Sequence, residues 1–171
     1  MSVAGMLNSR LIQGQHLGEL NTLLLEGRIM KVSTRGRYAI RVLLDLAERD
    51  QGEYVPLIDI ANRQEISEKY LEAIVSLLVK AGLLTALRGK KGGYKLTRTP
   101  DQYTLKDILT VTEGEFAPVT CLEGEVNTCE RASDCKTLKV WTDFQKLVND
   151  YFDSITLESL MGDEGCLDYS I

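Results

Sequence analysis

Three cysteines stand close together in the segment CLEGEVNTCERASDC, as Cys121, Cys129 and Cys135. Thiolates are soft ligands, and three of them on one loop can surround an iron–sulfur cluster without a preformed cage. The spacing also permits a thiol–disulfide switch between Cys129 and Cys135, because neighbouring thiols can exchange. Structural zinc is a weaker alternative, since the segment has no C-x-x-C pair and a fourth ligand is missing. These residues therefore predict soft-metal or redox chemistry at this loop.

The remaining reactive residues do not support an enzyme built on a cysteine nucleophile. The one histidine, His16, lies in the N-terminal segment, and no carboxylate pair is placed for acid–base work. Four cysteines in a chain without a signal-peptide pattern argue against a disulfide scaffold, and we interpret Cys166 as a bystander. No apolar run is long enough to cross a membrane, so we expect a cytoplasmic protein with no membrane partner.

The net charge of −5 over 171 residues hides two halves of opposite sign. Residues 30–100 hold 13 Lys and Arg against 8 Asp and Glu, whereas residues 101–171 hold 5 against 15. Such a split suits a basic nucleic-acid-binding head on an acidic body. A pure protein-interaction module is the alternative. Salt dependence separates the two, because DNA binding weakens steeply as the salt concentration rises.

The segment from Ser67 to Leu96 is the centre of the predicted head, and its first half predicts an amphipathic helix. Ser67 is a good N-cap residue, and Gly82 can end the helix in the left-handed conformation. Apolar residues at three- and four-residue steps predict one buried stripe: Tyr70, Leu71, Ile74, Leu77, Leu78 and Ala81. Polar or small residues predict an exposed opposite face: Lys69, Glu72, Ala73, Ser76 and Lys80.

Two short strands, 83–88 and 94–97, are predicted after this helix. The glycines between them let a tight turn take positive φ, and the hairpin carries cations at Arg88, Lys90, Lys91 and Lys95. A helix followed by a basic, glycine-tipped hairpin is typical of a winged helix-turn-helix. In that fold the helix enters a major groove and the hairpin tip reaches phosphate or a minor groove. A nucleotide-binding P-loop is excluded, because no GK[ST] follows the glycines.

Two further helices are predicted before this recognition helix. TRGRYAIRVLLDLAERD forms the first, and Arg35 and Arg37 stand at its start, where cations and backbone N–H groups can hold a DNA phosphate. Its predicted buried stripe consists of Tyr38, Ala39, Val42, Leu43, Leu46 and Ala47. The second helix covers 56–63, with Pro56 in its first turn, and Ile66 in the following turn should fill the gap between helices. Residues 30–100 thus predict a complete winged helix-turn-helix DNA-binding domain.

Residues 101–162 predict a short helix, an acidic cysteine loop and a long helix. The short helix covers 104–112 and ends at Gly114, the loop covers 118–134, and the long helix covers 135–160. Apolar residues in the long helix step three, four, three and four: Trp141, Phe144, Val148, Tyr151 and Ile155. A single chain has little other apolar surface to cover this seam, so we predict a homodimer helix. Packing on its own winged domain is the alternative. The fold class is therefore mainly α with a small β wing, and the tail 163–171 is expected to be flexible.

Residues 1–29 lack sustained periodicity, and Met30 begins the MKVSTRGRYAI segment like a natural start. We hypothesise that these residues are an untranslated leader, since Glu26 and Gly27 can be encoded by a purine-rich ribosome-binding sequence just before Met30. A disordered N-terminal arm is the alternative. The mass of the native protein distinguishes the two.

Four motifs resemble the Rrf-two (Rrf2) family of bacterial winged-helix repressors, the IscR, NsrR and CymR group. They are MKVSTRGRYAIRVLLDLA, DIANRQEISEKYLEAIVSLLVKAGLL, LRGKKGGYKL and DSITLESL, and the resemblance covers residues 30–161. It implies a dimeric transcriptional regulator that binds a palindromic DNA operator. IscR-like members carry an iron–sulfur cluster on three cysteines before the dimer helix, and NsrR-like members sense nitric oxide with such a cluster. CymR-like members lack it and regulate cysteine metabolism through a partner enzyme of the cysteine-synthase type.

The resemblance assigns Cys121, Cys129 and Cys135 to the cluster, with [2Fe–2S] favoured over [4Fe–4S]. The first cysteine spacing is two residues longer than in the enterobacterial IscR pattern, which a loop tolerates. The IscR histidine three residues after the last cysteine is Leu138 here, and the NsrR carboxylate of the first helix matches Arg37, which cannot ligate. The fourth ligand therefore stays open among these candidates: Glu123, Glu130, Asp134 and Cys166.

The resemblance and the polar faces together predict the DNA contacts. Glu72 matches a glutamate that, in IscR-like proteins, helps to switch operator class between the cluster-bound and cluster-free forms. A carboxylate can accept a hydrogen bond from cytosine N4 but repels phosphate. The predicted DNA-binding residues are Arg35, Arg37, Ser67, Lys69, Tyr70, Glu72, Ser76, Arg88, Lys90, Lys91 and Tyr94.

The predicted function is a cluster-gated transcriptional regulator, mostly a repressor, of genes for iron–sulfur cluster biogenesis or cysteine and sulfur metabolism. The alternative is a cluster-free, CymR-like or thiol-switch repressor of cysteine metabolism.

Overall fold

A computed structural model of the chain describes residues 31–49, 52–89, 91–124, 126–127 and 129–162. The expectations for residues 1–29, His16, Lys90, Cys166 and the tail 163–171 lie outside these ranges. Within them, six helices and one two-stranded antiparallel sheet form the fold. The prediction of a mainly α protein with a small β wing is confirmed.

The elements follow one another in the predicted order. Three helices come first: α1 (Thr34–Glu48), α2 (Leu57–Gln64) and α3 (Glu68–Lys80). The hairpin of β1 (Leu84–Leu87) and β2 (Gly93–Leu96) follows, in the register Leu84 opposite Leu96. The second region consists of α4 (Leu105–Glu113), α5 (Leu138–Ser154) and α6 (Leu157–Gly162). Short 3₁₀ turns cover Pro100–Gln102, Thr120–Leu122 and Ala132–Asp134.

The core lies where α1, α3 and α4 meet, and α2 closes it through the turn before α3. Ile66 is buried in that turn, as predicted, and Glu65 beside it adopts the left-handed conformation with φ 55°. The predicted stripe of α1 is correct for its aliphatic residues, whereas Tyr38 is only partly buried. Gly36, which the periodicity missed, is also buried. A Cβ atom built on it would lie 3.1 Å from the Val32 side chain and 3.2 Å from the Leu109 side chain.

The buried face of α3 is rotated from the predicted stripe. Its buried residues are Leu71, Ile74, Val75 and Leu78. Val75 was placed outside the stripe, whereas Tyr70 is 39% exposed and Ala81 is exposed. The prediction was wrong at these positions because two adjacent rows of apolar residues run along α3, and only the row that faces α1 enters the core. The helix end is as predicted, since Gly82 has φ +73° and its N–H donates to the Val79 carbonyl.

A buried carboxylate joins α1 to the end of α2. Asp45 is 2% exposed and accepts hydrogen bonds from Arg63 at 2.9 and 2.6 Å and from Gln64 at 3.1 Å. Burial works to raise the pKa of Asp45, but these hydrogen bonds and the charges of Arg63 and Arg49 outweigh it, so the pKa lies below its ordinary value. Arg41 also donates to the Gln64 carbonyl. The helix-turn-helix is therefore fixed to α1 by a charged contact as well as by apolar packing.

Tyr103 holds the wing and the C-terminal region to the same core. It is fully buried, and its hydroxyl donates to the Leu83 carbonyl at 2.8 Å and accepts from the Thr97 N–H at 2.8 Å. Its carbonyl accepts from the Leu157 N–H at 3.0 Å, and Leu157 is itself fully buried. Through its hydroxyl and its main-chain carbonyl, this one residue thus contacts the end of α3, the base of the wing and the start of α6.

The predicted long helix over 135–160 is wrong in its extent. The helix α5 begins at Leu138 and ends at Ser154, and Ile155 is extended, with φ −102° and ψ 117°. The break has a tertiary cause, because the Ile155 carbonyl accepts from the Leu105 N–H at 2.9 Å instead of continuing the helix. Leu157 is thereby drawn into the core, and α6 turns along α1.

We expect Asp45→Asn to lower the free energy of unfolding by about 2 to 3 kcal/mol, because Arg63 loses its charged partner. Urea denaturation at pH 7 measures the change, and Asp101→Asn, at an exposed position, is the matched control. A depressed folded pKa contributes stability above the unfolded pKa and loses it as the pH falls through the folded pKa. The wild type should therefore lose more stability than Asp45→Asn below about pH 4. Equal pH dependence in both proteins would contradict this account.

Candidate DNA-binding surface and cysteine loop

The outer face of α3 carries the polar and small residues that were predicted there. All of them are exposed: Lys69, Glu72, Ala73, Ser76 and Lys80. Ser67 occupies the N-cap position with an extended backbone, but its side chain makes no capping hydrogen bond. Its hydroxyl is exposed at the start of the helix. The face therefore presents donors and one carboxylate, without bulk that would keep it out of a major groove.

An aromatic contact flanks the start of α3. The Tyr70 ring lies 5.9 Å from the Tyr38 ring in an edge-to-face arrangement, and the Arg41 guanidinium lies 5.2 Å over Tyr38. Tyr70 is thus partly committed to packing, while its exposed part borders the polar face. This double role explains why periodicity placed it in the core and why a DNA contact was also assigned to it.

The start of α1 lies beside the end of α4. Ser33 caps α1 by accepting from the Gly36 N–H at 3.2 Å, and its hydroxyl donates to a Glu113 carboxylate oxygen at 2.6 Å. Arg35 and Arg37 are exposed on this first turn, and Arg37 donates to the Thr34 hydroxyl at 3.3 Å. Exposed cations at a helix start are suited to a phosphate.

The wing is attached to the head by backbone hydrogen bonds to Val55. The Tyr94 N–H donates to the Val55 carbonyl at 2.9 Å, and the Val55 N–H donates to the Tyr94 carbonyl at 3.0 Å. A Cβ on Gly93 would lie 2.2 Å from the same Val55 carbonyl, so this close approach requires glycine. The Tyr94 ring packs on the core, and Arg88 and Lys91 remain exposed on the hairpin.

The three cysteines of the loop between α4 and α5 are free thiols, each partly buried. Within the described ranges, no three His, Cys, Asp or Glu side chains are gathered at metal-ligand spacing. The donor set still fits a soft metal, because it consists of three unpaired thiols on one connecting loop. The carboxylates Glu130 and Asp134 are exposed nearby in sequence, and Leu138 is apolar at the start of α5. A soft metal would have to be held by thiols that the described ranges do not bring together.

Cys135 differs from the other two thiols in its position before α5. A hydrogen bond with the Thr137 hydroxyl, with Sγ and Oγ1 3.5 Å apart, lowers the pKa of Cys135, and the backbone N–H groups of Thr137 and Leu138 lower it further. Arg131 contributes in the same direction. The thiolate is the form that binds metals and attacks disulfides, so this position favours the reactive form.

The apolar outer face of α5 is rotated from the predicted seam. Leu147 and Val140, which were not predicted, are 67% and 58% exposed, and Tyr151 is 61% exposed. Phe144, Val148 and Ile155 are half-buried, Phe144 against Phe116 of the same chain, and Trp141 is exposed at the edge. The spacing of seven and four residues between Val140, Leu147 and Tyr151 was the signal for this face. Among the described helices, none has the length and apolarity to cross a bilayer.

A recognition helix followed by a β wing, with charged residues on both, defines a winged-helix DNA-binding regulator. The Rrf2 family model, described as an iron-dependent transcriptional regulator, matches residues 32–163. The chain belongs to the Rrf2 family of transcriptional regulators, and it is a regulator rather than an enzyme.

Individual relatives agree with this assignment. The transcriptional regulator IscR of Vibrio campbellii is 36% identical over 141 residues, covering 82% of this chain and 83% of that protein. Protein rrf2 of Nitratidesulfovibrio vulgaris is 39% identical over 134 residues, covering 78% and 89%.

Solved structures agree as well. The global cysteine regulator CymR of B. subtilis is 36% identical with a TM-score of 0.62, covering 77% of this chain and 96% of that one. IscR of T. potens is 36% identical with a TM-score of 0.59, covering 79% and 88%.

We expect the double substitution Arg88→Ala and Lys91→Ala to weaken binding to duplex DNA of any sequence, because wing cations neutralise phosphates. Fluorescence anisotropy over a series of salt concentrations measures it. The slope of log affinity against log salt should fall by about 0.9 for each phosphate contact removed. Lys139→Ala and Lys146→Ala together, on α5, are the matched control. An unchanged slope in the wing variant would place the DNA elsewhere.

Proposed function

We propose that this chain is a DNA-binding repressor gated by an iron–sulfur cluster on Cys121, Cys129 and Cys135. The observation that carries the proposal is the set of three free thiols on the loop that joins α4 to α5. The family's description as iron-dependent supports it, as do relatives named IscR. The regulated genes would serve iron–sulfur cluster biogenesis or cysteine and sulfur metabolism.

The cluster, when bound, would supply an oxidation- and iron-sensitive group to this loop. Three thiolates would come from the chain, and the lowered pKa of Cys135 favours its ligating form. A [2Fe–2S] cluster is favoured over [4Fe–4S]. The fourth ligand is open, because Leu138 and Arg37 replace the residues that relatives of the IscR and NsrR types would use. A carboxylate from the loop (Glu123, Glu130 or Asp134) or the thiolate of Cys166 would complete the set.

DNA would be read by the exposed face of α3, with phosphate contacts at the start of α1 and at the wing. Glu72 is central on that face and is exposed. It would accept from cytosine N4 and disfavour operators that place phosphate or an acceptor there. We propose that it separates the operators bound by the cluster-containing and cluster-free forms.

The operator would be a palindrome bound by a homodimer. The apolar face of α5, formed by Val140, Leu147 and Tyr151 with Trp141 at its edge, is the surface that a second copy would cover. The i,i+4 ion pairs Lys139–Asp143 and Lys146–Asp150 lie on the same helix. Because these pairs join charges within one helix, the apolar band alone is the part of α5 that suits a helix interface.

A cluster-free repressor of cysteine metabolism is the second candidate function. The similarity to CymR and the open fourth ligand position favour it. In that case Cys129 and Cys135 would form a thiol switch, since the lowered pKa of Cys135 raises the fraction of its thiol that is present as the attacking thiolate. A protein partner of the cysteine-synthase type would then carry the signal.

Anaerobic purification of the Met30-start protein separates the two candidates. We expect a brown protein with iron and acid-labile sulfide in similar amounts, and we expect Cys121→Ala, Cys129→Ala and Cys135→Ala each to lose most of both. Cys121→Ala should keep its secondary structure by circular dichroism, because Cys121 lies outside the buried core. A colourless protein that reconstitution does not fill, yet that binds palindromic DNA, would favour the cluster-free candidate.

We expect Leu147→Glu to convert the dimer into a monomer in light-scattering measurements at micromolar concentration, because a carboxylate would be buried in the apolar interface. Asp143→Ala, at an exposed position on the same helix, should stay dimeric. A Leu147→Glu protein that remains a dimer would place the interface on another surface.

A further inference from the structure

The side chain of Gln145 fastens one arm of the cysteine loop onto α5. Its amide nitrogen donates to the Phe116 carbonyl at 2.8 Å and to the Leu122 carbonyl at 3.2 Å. These two carbonyls lie at the two ends of the chain segment 116–122. One amide therefore closes this segment against the helix from both ends.

Two further contacts make this arm a defined structure. The Phe116 ring lies 5.9 Å from the ring of Phe144, the residue before Gln145, in an edge-to-face arrangement. The 3₁₀ turn Thr120–Leu122 is closed by the Leu122 N–H, which donates to the Val119 carbonyl at 3.0 Å. Cys121 lies inside that turn, directly before the carbonyl that Gln145 holds. Cys121 thus lies directly beside a backbone carbonyl that the glutamine amide holds.

The third cysteine reaches the same helix by another route. Cys135 lies three residues before Leu138, the first residue of α5, and the Leu138 N–H donates to the Cys135 carbonyl at 3.3 Å. Cys121 and Cys135 are therefore both attached to α5. Cys121 is attached through the side chain of Gln145, and Cys135 is attached through the backbone. A ligand held by both thiols would therefore be attached to α5 at these two points.

We infer that Gln145 is a positioning residue for Cys121, which sets the place of the first thiol relative to the start of α5. The inference rests on the proposed cluster function and deepens it. The chemistry requires a donor, because both partners are carbonyl oxygens. Glu at this position keeps the shape but presents only acceptors, so it would repel both carbonyls. Asn keeps the amide but is one methylene shorter and cannot reach both.

Thiol labelling of the metal-free, full-length protein tests the positioning without any cluster. We expect Gln145→Glu to raise the iodoacetamide labelling rate of Cys121, measured by mass spectrometry, by roughly tenfold, because two hydrogen bonds of the arm are lost. The rates at Cys129 and Cys135 should change little. Asn149→Asp, one turn further along α5, makes the same amide-to-carboxylate change and should leave Cys121 as in the wild type.

Spectroscopy of the reconstituted protein tests the consequence for the cluster. We expect Gln145→Glu to shift the visible circular dichroism and the electron paramagnetic resonance of the reduced cluster, and to increase the rate of iron loss to a chelator several-fold. Gln145→Asn should fall between Gln145→Glu and the wild type. A merely structural role would leave the spectra unchanged while lowering thermal stability.

The outcomes separate the two proposals. If Gln145→Glu leaves Cys121 labelling unchanged in a folded protein, the positioning role is wrong. If Gln145→Glu does not fold, Gln145→Leu and Gln145→Asn, which introduce no charge, decide the question by the same labelling rates. If the wild type binds no cluster but Cys121 labelling rises in Gln145→Glu, the proposed cluster is wrong and the attachment of the loop to α5 stands.

Discussion

The buried side chain of Tyr103 is the contact on which the arrangement of this regulator depends. Its hydroxyl donates to the Leu83 carbonyl, after the recognition helix, and accepts from the Thr97 N–H at the base of the wing. The main-chain carbonyl of the same tyrosine accepts from the Leu157 N–H at the start of α6. A buried hydroxyl is costly to leave unpaired, so its bonds to Leu83 and Thr97 hold the end of α3 against the base of the wing. The recognition helix, the wing and the C-terminal region are therefore held in one arrangement. The Arg98 guanidinium lies 4.9 Å from the centre of the Tyr103 ring and covers the ring from outside.

The same contact explains why the second region divides as it does. Ile155 leaves the helical conformation to bond with Leu105, and Leu157 enters the core beside Tyr103. Helix α5 thus ends at a fixed point on the head, while its outer face stays apolar and exposed. The cysteine loop precedes this helix, and Gln145 ties the loop to it. The loop is therefore attached by Gln145 to a helix whose last residue is followed by a backbone hydrogen bond to Leu105 on the head.

Local signals in the sequence were enough for most element boundaries. Gly82 and Gly114 end helices with positive φ, as predicted, and the structure adds side-chain caps at Ser33 and Thr104. No glycine or proline marks the break at Ile155 in the sequence. The break is imposed by the Leu105 N–H, a backbone group that is distant along the chain. The rotation of the buried face of α3 could not be predicted from the sequence either. Its two apolar rows have the same periodicity, and only the packing against α1 decides which row is buried.

The candidate site was predictable in its residue types and less so in its geometry. Cysteine spacing identified the loop, but thiols on a loop have no fixed arrangement until they are bound. The buried Asp45 had a weak signal, an acid inside an otherwise apolar stripe with Arg49 four residues later. Gln145 had no signal in the sequence, because its partners are backbone carbonyls of a loop and no sequence pattern identifies such partners.

The pairing of Tyr94 with Val55 has a consequence for the solubility of the wing. It covers β2 at one residue, Tyr94, on the side away from β1. The other edge of the hairpin in the described part of the chain is that of β1, which is four residues long and ends beside the cation of Arg88. A short edge next to a charge is a poor template for strand addition. An exposed wing is in this way protected against aggregation by strand addition to its backbone.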